Sequence, residues 1–156
     1  SYPLQQVGVE DKALVKAYSD DFFAEIVYKK KTMPHAVEAL EYLSSKYNLY
    51  ILSNGFRELQ EQKMRSAGVD KYFKKVVLSE DIGVHKPFPE IFYFAMSATQ
   101  SELHTSLMIG DNWENDIAGA KDAGLGQVFY NVKKTTKFSF QPTGIIEDWN
   151  EIGKIL

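Results

Sequence analysis

The side chains of this sequence that are best suited to chemistry lie in three short polar stretches. These are Ser53-Asn54-Gly55, residues 83–87 with Lys86, and residues 110–116 with Asp111 and Asp116. The first and third stretches directly follow the apolar runs 49–52 and 107–109, which are typical of buried strands. Ligands of parallel sheets bind at the carboxyl ends of the strands. We therefore expect a hydroxyl, a lysine and carboxylates to meet in one crevice.

Phosphoryl transfer is the reaction that this set of side chains suits. A phosphate dianion must be neutralised by positive charge while it reacts, and Lys86 is one source of that charge. A Mg²⁺ ion is a second source, because Mg²⁺ binds one or two carboxylates together with water and phosphate oxygens. We predict Asp111 and Asp116 as its ligands.

The turn after the first strand is predicted to bind the phosphate. The hydroxyl of Ser53 and the backbone N–H groups of Asn54 and Gly55 are suitable hydrogen-bond donors for a phosphoryl oxygen. Ser53 taken alone is also an ordinary turn residue. The prediction therefore rests on the common placement of all three stretches at strand ends.

The other candidate residues each have a structural alternative. Asp111 alone can cap the helix that follows it, and Lys86 alone can be a surface lysine. Arg57 either contacts substrate near the phosphate turn or is a solvated helix residue. His85 is interpreted as a neighbour of the site, because phosphate chemistry with Asp and Lys needs no further base.

Strands alternate with helices along most of the chain. Apolar runs predict four strands, near 49–52, 75–79, 107–109 and 127–130, and the 3.6-residue period predicts helices at 10–29, 34–46, 56–67, 88–98, 114–123 and 149–156. This alternation is typical of βαβ units and of an α/β fold with a parallel sheet.

Composition and charge exclude several classes of function. The 156 residues include no cysteine, which excludes disulfide scaffolds, Cys-ligated zinc and a thiol nucleophile. A formal net charge of −3 argues against a binder of nucleic acid polymers. We find neither a membrane span nor a secretory signal, and we predict a cytoplasmic location without membrane partners. The sequence starts at Ser1 rather than Met, which suggests a processed or truncated product.

The ordered motifs 49–55, 83–89 and 110–116 resemble the second, third and fourth motifs of the haloacid dehalogenase superfamily, and 53–83 is similar to its nucleotidase-like branch, which includes pyrimidine 5′-nucleotidases. The resemblance covers about residues 34–145. It implies a Rossmann-like core and a Mg²⁺-dependent phosphatase that forms an aspartyl-phosphate intermediate. Carried over by position, Ser53 binds the transferring phosphoryl group and Lys86 steadies the nucleophile and the phosphate charge. Asp111 ligates Mg²⁺, and Asp116 binds the metal or orients its waters.

The family's first motif, an Asp-x-Asp after a hydrophobic strand, is absent from this sequence. The missing strand lies in the family between the strands predicted at 49–52 and 107–109, and its loss leaves unpaired inner edges. We therefore expect a C-terminal fragment that is inactive alone. Residues 1–33 would be the tail of a helical cap and residues 34–156 the core, with a separate N-terminal segment or a partner chain completing the sheet.

Three functions are weighed against one another. The first is a phosphatase for a small phosphorylated metabolite such as a nucleoside monophosphate. The second is a dehalogenase, against which the acidic pair Asp111 and Asp116 counts because that reaction needs no metal. The third is a binding or regulatory domain that keeps the phosphate pocket and has no nucleophile.

Overall fold

The computed structural model describes Leu14 and residues 31–156. The helix predicted at 10–29 and nearly all of the predicted cap tail, 1–33, therefore lie outside the described residues. Within 31–156, the elements are α1 (Ala36–Lys46), β1 (Leu49–Ser53), α2 (Arg57–Ser66), β2 (Phe73–Leu78), α3 (Pro89–Thr99), β3 (Leu107–Gly110), α4 (Gly119–Ala123), β4 (Gly126–Tyr130) and β5 (Gly144–Ile146). Every strand pairing is parallel, so the predicted α/β class is confirmed.

The described strands form two separate parallel sheets. One contains β1 and β2, and the other has the order β3-β4-β5. All residues of β1 and β3 are partly exposed, whereas four of the five residues of β4 are buried. Among the described residues, β1 and β3 each keep one edge without a strand partner.

The two sheets share their hydrophobic cores. Side chains of Leu49 in β1 and of Leu107 and Ile109 in β3 pack against one cluster, which α1, β4, β5 and the C-terminal turn build. Leu52 and Met108 pack against a second cluster, built around α3 and α4. The alternation along β3 sends successive side chains to opposite faces. Both sheets are thus covered by the same two layers.

The helix following β3 departs from a regular α-helix. It begins as a π-helical turn, Trp113–Ala118, and only then continues as α4. The backbone carbonyl of Asn112 accepts hydrogen bonds from the N–H groups of both Asp116 and Ile117. This widening is typical of a π-turn, which often occurs at functional sites.

The C-terminal part of the chain differs from the sequence prediction in two places. The sequence predicts a helix at 149–156, but the structure has a short 3₁₀-helix, Trp149–Lys154, started by the side chain of Asp148. Strand β5 was not predicted, because three residues are too short to show an alternating pattern. It adds in parallel to β4, as the pairing of Phe129 with Ile145 shows.

Replacement of Phe92 by alanine should destabilise the fold strongly. Its ring is fully buried in the second cluster, and such truncations cost about 3–5 kcal/mol. Phe88, four residues earlier, is 61% exposed, so Phe88→Ala should change stability by less than about 0.5 kcal/mol. Equilibrium unfolding in urea measures both values, and equal losses would contradict this assignment of the core.

Candidate active site

The turn that follows β1 holds the hydroxyl of Ser53 in a defined position. The oxygen of this hydroxyl accepts a hydrogen bond from the backbone N–H of Gly55 at 3.0 Å. It accepts a second one from the side-chain amide of Gln60, in α2, at 2.8 Å. The Gly55 N–H is therefore used within the turn, and it supports the hydroxyl of Ser53.

The side chain of Asn54 joins this turn to the lysine segment. Its amide nitrogen donates to the carbonyl of Lys86 at 3.0 Å, and its oxygen accepts from the Lys86 N–H at 2.8 Å. Two segments that are 32 residues apart are thereby fixed against each other. The sequence predicts Asn54 only as a backbone donor, so this clamp is an additional role.

A buried ion pair lies beside the clamp. The Lys86 ammonium is 2.7 Å from a carboxylate oxygen of Asp116, and the two side chains are only 10% and 7% exposed. The ammonium also donates to the carbonyl oxygen of Leu52, at 2.8 Å. Lys86 therefore links the end of β1 to the turn after β3, and it is not the surface lysine of the alternative reading.

Asp116 is held from both sides. While one carboxylate oxygen binds Lys86, the other accepts the backbone N–H of Asn112 at 3.1 Å. The side chain of Asn112 caps the π-turn by accepting from the N–H of Asn115. Gly110 is required here, because a Cβ at this position would overlap the carboxylate of Asp116.

Asp111 differs from Asp116 in its surroundings. It is exposed, and it makes no hydrogen bond or ion pair with any residue that the structure describes. Its carboxylate lies near the end of β4, where burial first, and then the charges of Asp148 and Asp111, raise the pKa of Tyr130. Asp111 is thus the carboxylate that remains open to a ligand.

The two remaining candidates lie outside this network. The guanidinium of Arg57 is 2.6 Å from a carboxylate oxygen of Asp81 and 3.5 Å from one of Glu61, so this partly exposed side chain is held by ion pairs on its own side of the fold. These partners raise the pKa of Arg57, the hydrogen bond to Asp81 most of all. His85 is exposed, and its ring contacts no hydrogen-bonding partner within the described part of the chain.

An aromatic cluster covers the turn after β3. The indole of Trp113 stacks on Phe138 at 4.9 Å, lies 4.8 Å from the ring of Phe140, and meets Phe129 edge to face. The cluster ties the loop after β4 to the turn that carries Asp111. Sequence reasoning missed it, because residues 113 and 138 are distant in the chain.

The site is an open edge of the fold. A groove of about 620 Å³ runs along β2, between α2 and α3; Arg57 lines it, but Ser53, Lys86, Asp111 and Asp116 do not. Ser53, Lys86 and Asp111 lie instead at the ends of β1 and β3 and on the segment clamped to them. Within 31–156, no helix is long and apolar enough to cross a membrane.

Comparison with known proteins finds relatives for most of this chain. The sequence model of the haloacid dehalogenase-like hydrolase family matches residues 4–124 of this chain. The chain is 35% identical over 118 residues to the pyrimidine 5′-nucleotidase YjjG of Escherichia coli, covering 75% of this chain and 51% of YjjG. It is 32% identical over 106 residues to glyceraldehyde 3-phosphate phosphatase of Methanothermobacter thermautotrophicus, covering 67% of this chain and 47% of that protein. The chain thus spans about half the length of these relatives.

A solved structure shares the fold. The magnesium-bound crystal structure of YfnB from Bacillus subtilis superimposes with a TM-score of 0.84 and 28% sequence identity. The match covers 97% of this chain and 66% of YfnB. The sequence resemblance to the haloacid dehalogenase superfamily is therefore confirmed.

Breaking the Lys86–Asp116 pair should cost far more than breaking a surface pair. Each of Lys86→Met and Asp116→Asn leaves a buried group without its partner, and we expect losses of about 3–5 kcal/mol. The double variant should lose less than the sum, as a double-mutant cycle measured by urea unfolding will show. The exposed pair of Arg65 and Glu61 is the control, with a coupling of about 0.5 kcal/mol or less. A coupling no larger for the buried pair would contradict its role.

Asp81 should titrate below its ordinary range. Its pKa is lowered first by the hydrogen bond from the N–H of Leu78 and then by the guanidinium of Arg57. In Arg57→Ala the pKa of Asp81 should rise and still stay below the ordinary value of an aspartate, because the hydrogen bond from Leu78 remains. Carboxyl NMR titration checks this. An unchanged pKa in the variant would show that the contact with Arg57 is absent. A fully normal pKa would show that the hydrogen bond from Leu78 is absent.

The same shift makes stability depend on pH. A carboxyl whose pKa is lowered by folding stabilises the fold above its unfolded pKa and loses that contribution as pH falls through its folded pKa. The stability difference between wild type and Asp81→Asn should therefore shrink as the pH falls from about 5.

Proposed function

The chain belongs to the haloacid dehalogenase-like hydrolases, and on that premise we propose that it is the larger part of a Mg²⁺-dependent phosphomonoester hydrolase core. The observation that carries the proposal is the placement of the Lys86 ammonium. It is held by Leu52 and Asp116 at the edge of the fold where Ser53 presents its hydroxyl. An ammonium has three protons, and two are bound by these acceptors. The third is available to a phosphoryl oxygen.

Two side chains of this chain bind the phosphoryl group in the proposal. Ser53 donates its hydroxyl proton to one phosphoryl oxygen, and Lys86 neutralises charge on the transferring group and on the nucleophile. Charge-assisted hydrogen bonds of this kind are short and about twice as strong as neutral ones. Since Lys86 is clamped through Asn54 and Asp116, its charge is positioned before the substrate arrives.

The donor set fits a magnesium ion with few protein ligands. No group of three or more His, Cys, Asp or Glu suited to a metal exists among the described residues. Mg²⁺ needs only one or two carboxylates, because water and phosphate oxygens complete its shell. We propose Asp111 as the protein ligand of the ion. Asp116 accepts hydrogen bonds from Lys86 and from the backbone of Asn112, and it contributes by fixing the position of these two groups. When bound, the ion neutralises phosphoryl charge.

We propose that the nucleophile comes from a segment outside this chain. No Asp-x-Asp occurs in the 156 residues, and the described strands leave β1 and β3 without a common neighbour. One parallel strand inserted between β1 and β3 would join the two sheets into a single six-stranded sheet. It would also bring an aspartate beside Ser53 and Lys86. That aspartate would take the phosphoryl group as the ester P–O bond breaks, and the substrate would leave as an alcohol protonated by the second aspartate of the same Asp-x-Asp. Water would then hydrolyse the aspartyl phosphate, which releases inorganic phosphate and restores the carboxylate. This chain alone is accordingly inactive.

The substrate we propose is a small phosphorylated metabolite. The relatives act, by their names, on pyrimidine nucleotides and on glyceraldehyde 3-phosphate, and a nucleoside monophosphate is one member of this class. A cytoplasmic location remains part of the proposal. The alternative is a binding domain that keeps the phosphate site without catalysis. It predicts that the longer protein binds phosphate and does not hydrolyse the substrates.

Turnover should require both the missing strand and Asp111. With p-nitrophenyl phosphate and nucleoside monophosphates, the 156-residue chain should show no Mg²⁺-dependent hydrolysis. The product of the gene with its upstream in-frame codons should be active, lose activity with EDTA, and recover with Mg²⁺. Asp111→Asn in that protein should lower kcat about a hundredfold or more, because a metal ion supplies several kcal/mol.

The control for this measurement is Asp122→Asn, a change of the same kind at an exposed position of α4. It should leave kcat unchanged. Robust hydrolysis by the 156-residue chain would overturn the proposed source of the nucleophile. Phosphate binding without hydrolysis by the longer protein would favour the binding domain.

A further inference from the structure

The hydrogen bonds of Ser53 restrict its hydroxyl to one role. A hydroxyl oxygen has two lone pairs and one proton. Both lone pairs are occupied, by the N–H of Gly55 and by the amide of Gln60. Ser53 donates to no acceptor in the part of the chain that the structure describes. Its proton therefore has no acceptor among the described residues and remains available to a ligand.

Gln60 reaches this position because Gly55 leaves room for it. Gln60 lies in the first turn of α2, and its backbone N–H bonds the carbonyl of Phe56. Its side chain folds back over the turn, where a Cβ at Gly55 would overlap the amide nitrogen. The absence of a side chain at position 55 and the amide at position 60 thus form one arrangement around Ser53.

We propose that Gln60 is a positioning residue that makes Ser53 an obligatory hydrogen-bond donor to the phosphoryl group. This inference rests on the proposed function. With Gly55 as the only donor, one lone pair would stay free and the hydroxyl could turn its proton elsewhere. With Gln60 in place, the proton has one direction left. A phosphate dianion offers only acceptors, so a fixed donor matches it.

Binding of inorganic phosphate to the full 156-residue chain tests this role. NMR titrations in the presence of Mg²⁺ compare the wild type with Ser53→Ala, Gln60→Leu and Gln60→Glu. Gln60→Leu frees the hydroxyl and should weaken binding about threefold. Gln60→Glu gives the Ser53 proton an internal acceptor and should weaken binding about tenfold, which is the usual value of one hydrogen bond to a charged group.

The matched control is Gln62→Leu. Gln62 lies on the same helix and is exposed, and its side-chain amide donates to the carboxylate of Glu58 at 3.5 Å. It should bind phosphate as the wild type does. Circular dichroism and thermal unfolding of all variants verify that the fold is kept.

A spectroscopic signature separates positioning from packing. The side-chain amide protons of Gln60 should shift upfield in Ser53→Ala, which removes their acceptor, and those of Gln62 should not move. A Gln60 amide that is unaffected by Ser53→Ala overturns the inference.

The outcomes for Gln60 and for the proposed function can be told apart. If Ser53→Ala weakens phosphate binding and both Gln60 variants bind like the wild type, the role of Gln60 is wrong and the phosphate site stands. If the wild type binds no phosphate, or Ser53→Ala binds it equally well, the proposed phosphate site is wrong, and the role of Gln60 falls with it.

Discussion

The ammonium of Lys86 is the charge on which the arrangement of the site depends. A buried cation is costly unless it is paired and hydrogen-bonded. Its acceptors are the carbonyl of Leu52, at the end of β1, and the carboxylate of Asp116, after β3. By contacting both acceptors, the Lys86 ammonium therefore links the end of β1, the turn after β3 and its own segment to one another. The contacts that offset the cost of burying the Lys86 ammonium are therefore the same contacts that bring the parts of the site together.

This constraint explains the difference between the two acidic residues. Asp116 is buried and its two oxygens are both engaged, so its contribution is to hold Lys86 and the backbone at Asn112. Asp111 is exposed and open. Two carboxylates five residues apart thus have different surroundings, one buried in the fold and one exposed. Their spacing follows from the π-turn, which brings the side chain at position 116 back beneath Gly110.

Much of the fold could be predicted from the sequence, because its strands and helices have strong local patterns. The apolar runs at 49–52 and 107–109 became β1 and β3, and the polar residues after them lie at the strand ends as expected. What could not be predicted depends on contacts between distant residues. Strand β5 exists only through its pairing with β4. The contact of the Gln60 amide with Ser53 depends on how the turn after β1 folds, which the local sequence pattern does not show.

The aromatic cluster has an optical consequence. The chain has two tryptophans. Trp113 lies two positions after Asp111 among the rings of Phe138 and Phe140, while Trp149 packs 4.8 Å from the ring of Tyr130 in the C-terminal core. Indole emission responds to nearby charge, so the fluorescence of Trp113 is sensitive to the charge at the exposed carboxylate of Asp111. Trp113 is thus a built-in optical probe of the turn that carries Asp111.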